Sequence, residues 1–265
     1  MTNHALAVVE AALRARNLDR TLTTTCADKP ARDAAPTGVV RLDEALGGGL
    51  PRGQLSEIVG ARSAGRTSLL LQLVGAATRR GEIAALVDTF DQFDVASAAA
   101  ADADLDRLLW IRGAVPSPPD RAVERALKAL NLVLQAGGFG VVAIDLADAS
   151  PAALRTIPFT TWLRVQRTIE GSDTACVIVG PQPLGRSAGG LMLMLEGRPR
   201  YSRPQALGHS EAWDLGPGAY LSGLDVAVRV VSPRRLTGGR VTIGAHMCGL
   251  ASPKPQSGEG RWSGA

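Results

Sequence analysis

Between Gly53 and Ser68 the chain reads Gly-Gln-Leu-Ser-Glu-Ile-Val-Gly-Ala-Arg-Ser-Ala-Gly-Arg-Thr-Ser. Within it Gly60, Gly65, Thr67 and Ser68 keep the spacing of the phosphate-binding pattern G-x-x-x-x-G-K-[ST]-[ST]. The chemistry such spacing serves is anion binding. A strand ends in glycine, the backbone N–H groups of the loop curl around phosphate oxygens, and the next helix points its positive end at them. Arg66 stands where the pattern has lysine. It keeps the charge but replaces a compact ammonium on a flexible stem with a wide planar fork. A glycine-rich strand-to-helix turn without a ligand also fits the letters. The apolar strand before it and the amphipathic helix after it favour the cradle.

Three other groups of residues could join that chemistry. Asp145 closes the apolar run Val141–Ile144 and is placed to hold Mg²⁺ through water, opposite the Thr67 hydroxyl; it also fits a plain strand-ending turn. Asp88 closes Ile83–Val87, at the strand end where doubly wound sheets place their ligands, with Asp91 and Asp94 close behind. Arg186, Arg198, Arg200, Tyr201, Arg203 and Trp213 mix guanidinium groups with aromatic rings. That combination neutralises phosphates and stacks bases in single-strand binders, and equally fits a β-hairpin with a solvated, arginine-rich turn.

The elements that must position these residues follow from periodicity. Thr67–Arg79 carries Leu69, Leu70, Leu73, Val74 and Ala77 on one side, predicting a helix that Gly81 stops. Ile83–Val87, Val141–Ile144 and Ala175–Val179 are continuous apolar runs of strand length, the signature of a parallel sheet covered on both faces. A short helix around Leu42–Leu46 ends in glycines and feeds a strand Gln54–Val59. Leu105–Ile111 reads as a strand, Pro118–Gln135 as a helix, and Ser150–Ile169 as helix interrupted at Pro158, with Trp162 in the core. Leu224–Val231 and Arg240–Ala245 pair as antiparallel strands across Thr237–Gly239. The expected fold is α/β, a mostly parallel central sheet flanked by helices, with a C-terminal antiparallel β extension. The expected division is an N-terminal helix (His4–Arg16) and linker over 1–36, a core over 37–248 and a disordered tail over 249–265.

Composition narrows the setting. The chain has 265 residues, 45% hydrophobic and 20% charged, enough for a sizeable core. No apolar run reaches bilayer length and no charged segment precedes an apolar one near Met1, so a cytoplasmic, non-membrane protein is expected. Cys26, Cys176 and Cys248 are scattered without C-x-x-C spacing, which speaks against a disulfide framework or structural zinc. A net charge of +4 suits a polyanionic partner, and also a GC-rich genome that encodes arginine readily.

Leu42-Asp43, Leu46–Pro51, Gly53, Glu57–Gly60 and the loop that follows resemble the entrance to the ATPase core of RecA-type recombinases. The resemblance covers roughly residues 37–245 and is most similar to the ImuA branch of bacterial damage-inducible mutagenesis cassettes. It implies a RecA-like P-loop NTPase core with ATP and Mg²⁺ as cofactors. It also implies that Gln182, at the end of the strand after Asp145, senses the γ-phosphate, and that the segment from Leu184 corresponds to a DNA-binding loop. The glutamate that activates water in RecA-type enzymes falls at Phe90 here. The implied role is an accessory protein of the SOS response supporting translesion synthesis. Its implied partners are single-stranded DNA, an ImuB-like protein, RecA and an error-prone DNA polymerase, with the N-terminal helix as a docking element. A DNA-stimulated ATPase of recombinase type and a nucleotide-free scaffold are the two other readings.

Overall fold

A computed structural model describes residues 34–185, 190–202, 220–231 and 240–246. The chain divides after Asp33, and the unit Met1–Asp33, with the expected helix at His4–Arg16, lies outside the described residues. So do Arg186, Arg203, Trp213, the turn at 237–239 and the tail 249–265.

The strands follow the apolar runs: β1 (Ala34–Ala35), β2 (Leu50–Pro51), β3 (Leu55–Gly60), β4 (Ala84–Asp88), β5 (Leu108–Arg112), β6 (Val141–Asp145), β7 (Ala175–Gly180), β8 (Met192–Ser202), β9 (Tyr220–Val231) and β10 (Arg240–His246). The helices are α1 (Val40–Leu46), α2 (Arg66–Arg79), α3 (Val95–Ala100), α4 (Pro119–Ala136), α5 (Pro151–Arg155) and α6 (Phe159–Ile169). Eight strands form one sheet in the order β10-β9-β8-β3-β7-β6-β4-β5. Pairing is parallel from β8 through β5 and antiparallel for β8–β9 and β9–β10.

A parallel sheet needs both faces covered, and two apolar clusters do so. On one face Leu69, Leu70, Leu73, Val74 and Ala77 of α2 pack on Ile58, Leu86, Ala143, Val177, Leu193 and Val226. On the other, Val123, Leu130 and Val133 of α4 and Trp162, Val165 and Ile169 of α6 pack on Leu55, Val87, Val142, Ile144 and Ile178. Each fully buried leucine or isoleucine contributes about 1.5–3 kcal/mol by leaving water.

Polar side chains fix the ends of the strands. Arg52 donates to the carbonyls of Ala34, Gly140 and Asp173 and pairs with Glu82 at 2.6 Å, joining β1, β4, β6 and β7 at their amino ends. The Asp43 carboxylate accepts from Thr37 N and Thr37 Oγ1, each at 2.7 Å, and sets the entry to α1. Gln166 of α6 accepts from Leu55 N at 2.9 Å and donates to Gly53 O, which starts β3 in register.

Two local expectations are corrected and one helix is added. Leu105–Arg107 is a 3₁₀ turn rather than strand, because Asp104 caps it through Asp106 N; the strand begins at Leu108. Val95–Ala100 is helical, nucleated by Asp94, whose side chain accepts from Ala96 N and Ser97 N; a six-residue alanine-rich segment has too little periodicity to announce itself. Ala34–Ala35, at the end of the expected linker, pairs with Leu50–Pro51. No described helix is long and apolar enough to cross a membrane.

Candidate functional site

β3 runs out at Gly60, and the chain turns through Ala61–Gly65 into α2. The turn needs positive φ at Ser63 (61°) and Gly65 (92°). At Gly65 a side chain is excluded twice, since a Cβ would lie 2.8 Å from Val226 Cγ2. The first N–H groups of a helix have no intrahelical acceptor, and no side chain caps α2. The amides of Arg66, Thr67 and Ser68 thus begin a 14-residue helix whose positive end opens at the loop. The side chains of Thr67 and Ser68 are exposed there.

Arg66 turns inward. It is only 7% exposed, and its Nη1 is buried with no hydrogen-bond partner. Burial lowers its pKa, opposed by the carboxylates of Asp145 and Asp148, and a guanidinium remains charged under such a shift. A buried donor with no acceptor costs about 1–3 kcal/mol, more when charged, which an incoming anion would recover.

Asp145 ends β6 beside Asp88 of β4, with which it is in register. Its Oδ1 accepts from Ala147 N at 2.8 Å. Burial, then the charges of Asp88 and Asp148, push its pKa up to about 6 against the opposing Ala147 bond and Arg66. The folded state holds this proton more tightly than the unfolded chain, so ionisation weakens the fold as pH rises from about 4 to 6. Asp145→Asn is expected to raise unfolding free energy by about 2–3 kcal/mol at pH 7.5, an advantage that shrinks steadily below pH 6. Urea unfolding in EDTA across pH 4–8 measures it; a pH-independent difference would show that Asp145 is not the titrating group.

Asp88, Asp91 and Asp94, three further carboxylates at or near this end of the sheet, are engaged. Asp88, 3% exposed, accepts from Gln92 N (2.9 Å), Phe93 N (2.9 Å) and Trp110 Nε1 (3.1 Å), so it is a structural acceptor rather than an open ligand position. Asp91 makes a two-pronged pair with Arg112 at 2.7 and 2.8 Å, and Arg112 lies 4.7 Å over the Trp110 ring. Asp94 caps α3. Phe90 packs against the α4–α6 core. Among the described residues no group of three or more His, Cys, Asp or Glu is arranged to hold a metal ion.

Gly60, Gly65, Arg66, Thr67, Ser68 and Asp145 therefore gather at the carboxyl ends of β3 and β6. Gln182 is exposed just beyond β7. The arginine group lies elsewhere. Arg198, Arg200 and Tyr201 are within strand β8, not in a loop or turn. Leu193 and Leu195 face the α2 core, so alternation turns Arg198 to the opposite face of the sheet from the glycine loop. Arg200 pairs with Asp225, while Arg198 is exposed and Tyr201 is 48% exposed.

Glu57 escaped the sequence reading. It is 2% exposed in β3, and its carboxylate accepts from Leu184 N at 2.7 Å and Gly185 N at 3.1 Å, fixing the chain just after Gln182. Its signal was available: a single acid inside the apolar strand Leu-Ser-Glu-Ile-Val. The other side of the loop is equally confined. A Cβ on Gly197 of β8 would lie 2.7 Å from Ser63 O and 2.8 Å from Ala64 Cα, so strand and loop touch backbone to backbone.

Compared with known proteins, the profile of the RecA N-terminal domain matches residues 15–155, which include the glycine loop and Asp145. The chain is 41% identical over 123 residues to Protein RecA of Methylococcus capsulatus, covering 46% of this chain and 33% of that protein. It is 40% identical over 118 residues to Protein RecA of Symbiobacterium thermophilum, covering 44% and 32%. The value for Protein RecA of Acidothermus cellulolyticus is 42% over 118 residues, again 44% and 32%. The match thus spans about a third of the length of these relatives.

Proposed function

The chain belongs to the RecA N-terminal domain family, and from that premise we propose that it is a RecA-like DNA-repair protein that binds a nucleotide at Gly60–Ser68 without turning it over rapidly. One contrast carries the reading. The loop offers an uncapped helix start and a buried, unpartnered guanidinium, which supports a phosphate cradle, while Asp88, Asp91 and Asp94 are all committed to other bonds. Phosphoryl transfer to water needs a group that positions the water within hydrogen-bond reach, and at Phe90 a hydrocarbon ring stands in that role's place.

The residues fit ATP at its phosphates. The loop amides and Arg66 would hold the phosphate oxygens, and Ser68 borders the opening. Were Mg²⁺ to accompany the nucleotide, the Thr67 hydroxyl and Asp145 are the groups that would hold it, and it would spread the phosphate charge. Gln182, exposed at the end of β7, is the residue through which the resemblance to RecA would report the γ-phosphate.

The family supports DNA as a partner, and exposed Arg198 on β8 offers charge for phosphate, while Tyr201 offers a ring on the other face of that strand. In this reading Arg200 acts through Asp225, orienting the strand rather than meeting phosphate directly. The finer role, an accessory to translesion synthesis working with an ImuB-like protein, RecA and an error-prone polymerase, rests on the resemblance to the ImuA branch.

Equilibrium binding of a fluorescent ATP analogue, alongside steady-state hydrolysis with and without single-stranded DNA, tests the proposal. The expected result is saturable binding with turnover that DNA does not raise. Hydrolysis stimulated by DNA and abolished in Arg66→Ala would replace this reading with the recombinase-type motor. No binding would leave a scaffold.

A further inference from the structure

Resting on the nucleotide reading above, the position of Arg66 bears on what the loop needs besides the nucleotide. Its guanidinium is nine-tenths buried at the head of α2, and Nη1 has no acceptor. The carboxylates of Asp145 and Asp148 lie near enough for their charges to act on it. We propose that Arg66 is a built-in counter-cation, so that a nucleoside di- or triphosphate binds this loop independently of divalent metal.

A lysine at this position is a point charge on a flexible stem, able to follow the phosphates and leave the strand-end carboxylate to a hydrated cation. Arginine's planar fork reaches two acceptors at once. Nη1 has no acceptor within the fold and is left for phosphate, so a permanent positive charge stands at the loop within electrostatic reach of Asp145. A divalent ion arriving at Asp145 meets that fixed charge in a partly dry environment, where repulsion is strong. It is also offered little in return. One oxygen of Asp145 already accepts from Ala147 N, and Asp88 already accepts three hydrogen bonds.

The test is a titration of the full chain with methylanthraniloyl-ADP in EDTA and again in excess MgCl₂, for the wild type and for Arg66→Lys. The wild-type dissociation constants are expected to agree within about threefold, and those of Arg66→Lys to tighten by about tenfold or more with Mg²⁺. A wild-type affinity that rises by more than about threefold with Mg²⁺ overturns the proposal, whatever the variant does. An Arg66→Lys protein that binds equally in both buffers overturns it as well, because the effect would then not belong to the guanidinium. No wild-type binding in either buffer removes the nucleotide reading itself, a result distinct from Mg²⁺-dependent binding.

Discussion

Truncating Arg66 to alanine is expected to weaken nucleotide binding by about 100-fold, the equivalent of about 3 kcal/mol. At 7% exposure the guanidinium would bond a phosphate away from competing water, where charge-assisted bonds are strongest. Losing the side chain removes both the charge and the buried Nη1 donor, while the loop amides remain. Thr67→Ala provides the contrast. If Arg66 supplies the counter-charge, deleting the Thr67 hydroxyl costs no more than about threefold in affinity. Equal losses in the two variants would mean that the phosphates depend on a metal held by Thr67 as much as on Arg66. The readout is the dissociation constant from fluorescence titration, with circular dichroism to show that both variants remain folded.

Glu57→Ala is expected to cost about 3 kcal/mol of stability and lower the melting temperature by about 10 °C. The carboxylate is the acceptor for Leu184 N and Gly185 N, and Gly185 is buried. Without it two amides lose their partner in a place water reaches poorly, at about 1–3 kcal/mol each. Glu57→Gln keeps one acceptor oxygen but turns an NH₂ donor towards the second amide, so about half the loss is expected. Differential scanning calorimetry separates the two variants. A Glu57→Ala melting temperature equal to that of the wild type would mean that the chain at 184–185 finds other acceptors. Beyond stability, the same pair of bonds ties the chain after Gln182 to β3, the strand that delivers Gly60 to the phosphate loop.

The residues of the loop itself were legible because everything about them is local. Spacing of Gly60 and Gly65, the leucines of α2 and the stop at Gly81 express backbone preferences and one helical face, and neighbours in sequence decide them. Asp145 could be picked out for the same reason, as the end of an apolar run. What could not be read was which acids were free. Asp88, Asp91 and Asp145 each stand at or near a strand end in the sequence, but Asp88 is engaged by the amides of Gln92 and Phe93 and by Trp110, and Asp91 by Arg112, the last two about twenty residues away. The arginines of β8 show the same limit: their composition suggested a loop meeting DNA, and the strand's alternation put Arg198 on the face away from the glycine loop while Asp225 claimed Arg200.

By itself the sequence determined the phosphate-loop spacing, the α2 helix, the buried parallel strands and the substitution at Arg66, since each follows from torsional preference or from periodicity along one segment. Only the tertiary structure decided the strand order, the inward burial of Arg66, the engagement of Asp88, the clasp of Glu57 and the contact of Gly65 with Val226. The physical reason is range. A torsion or a helical face is set by residues within a few positions, whereas desolvation and hydrogen-bond satisfaction depend on whichever groups the fold brings alongside, from any distance along the chain.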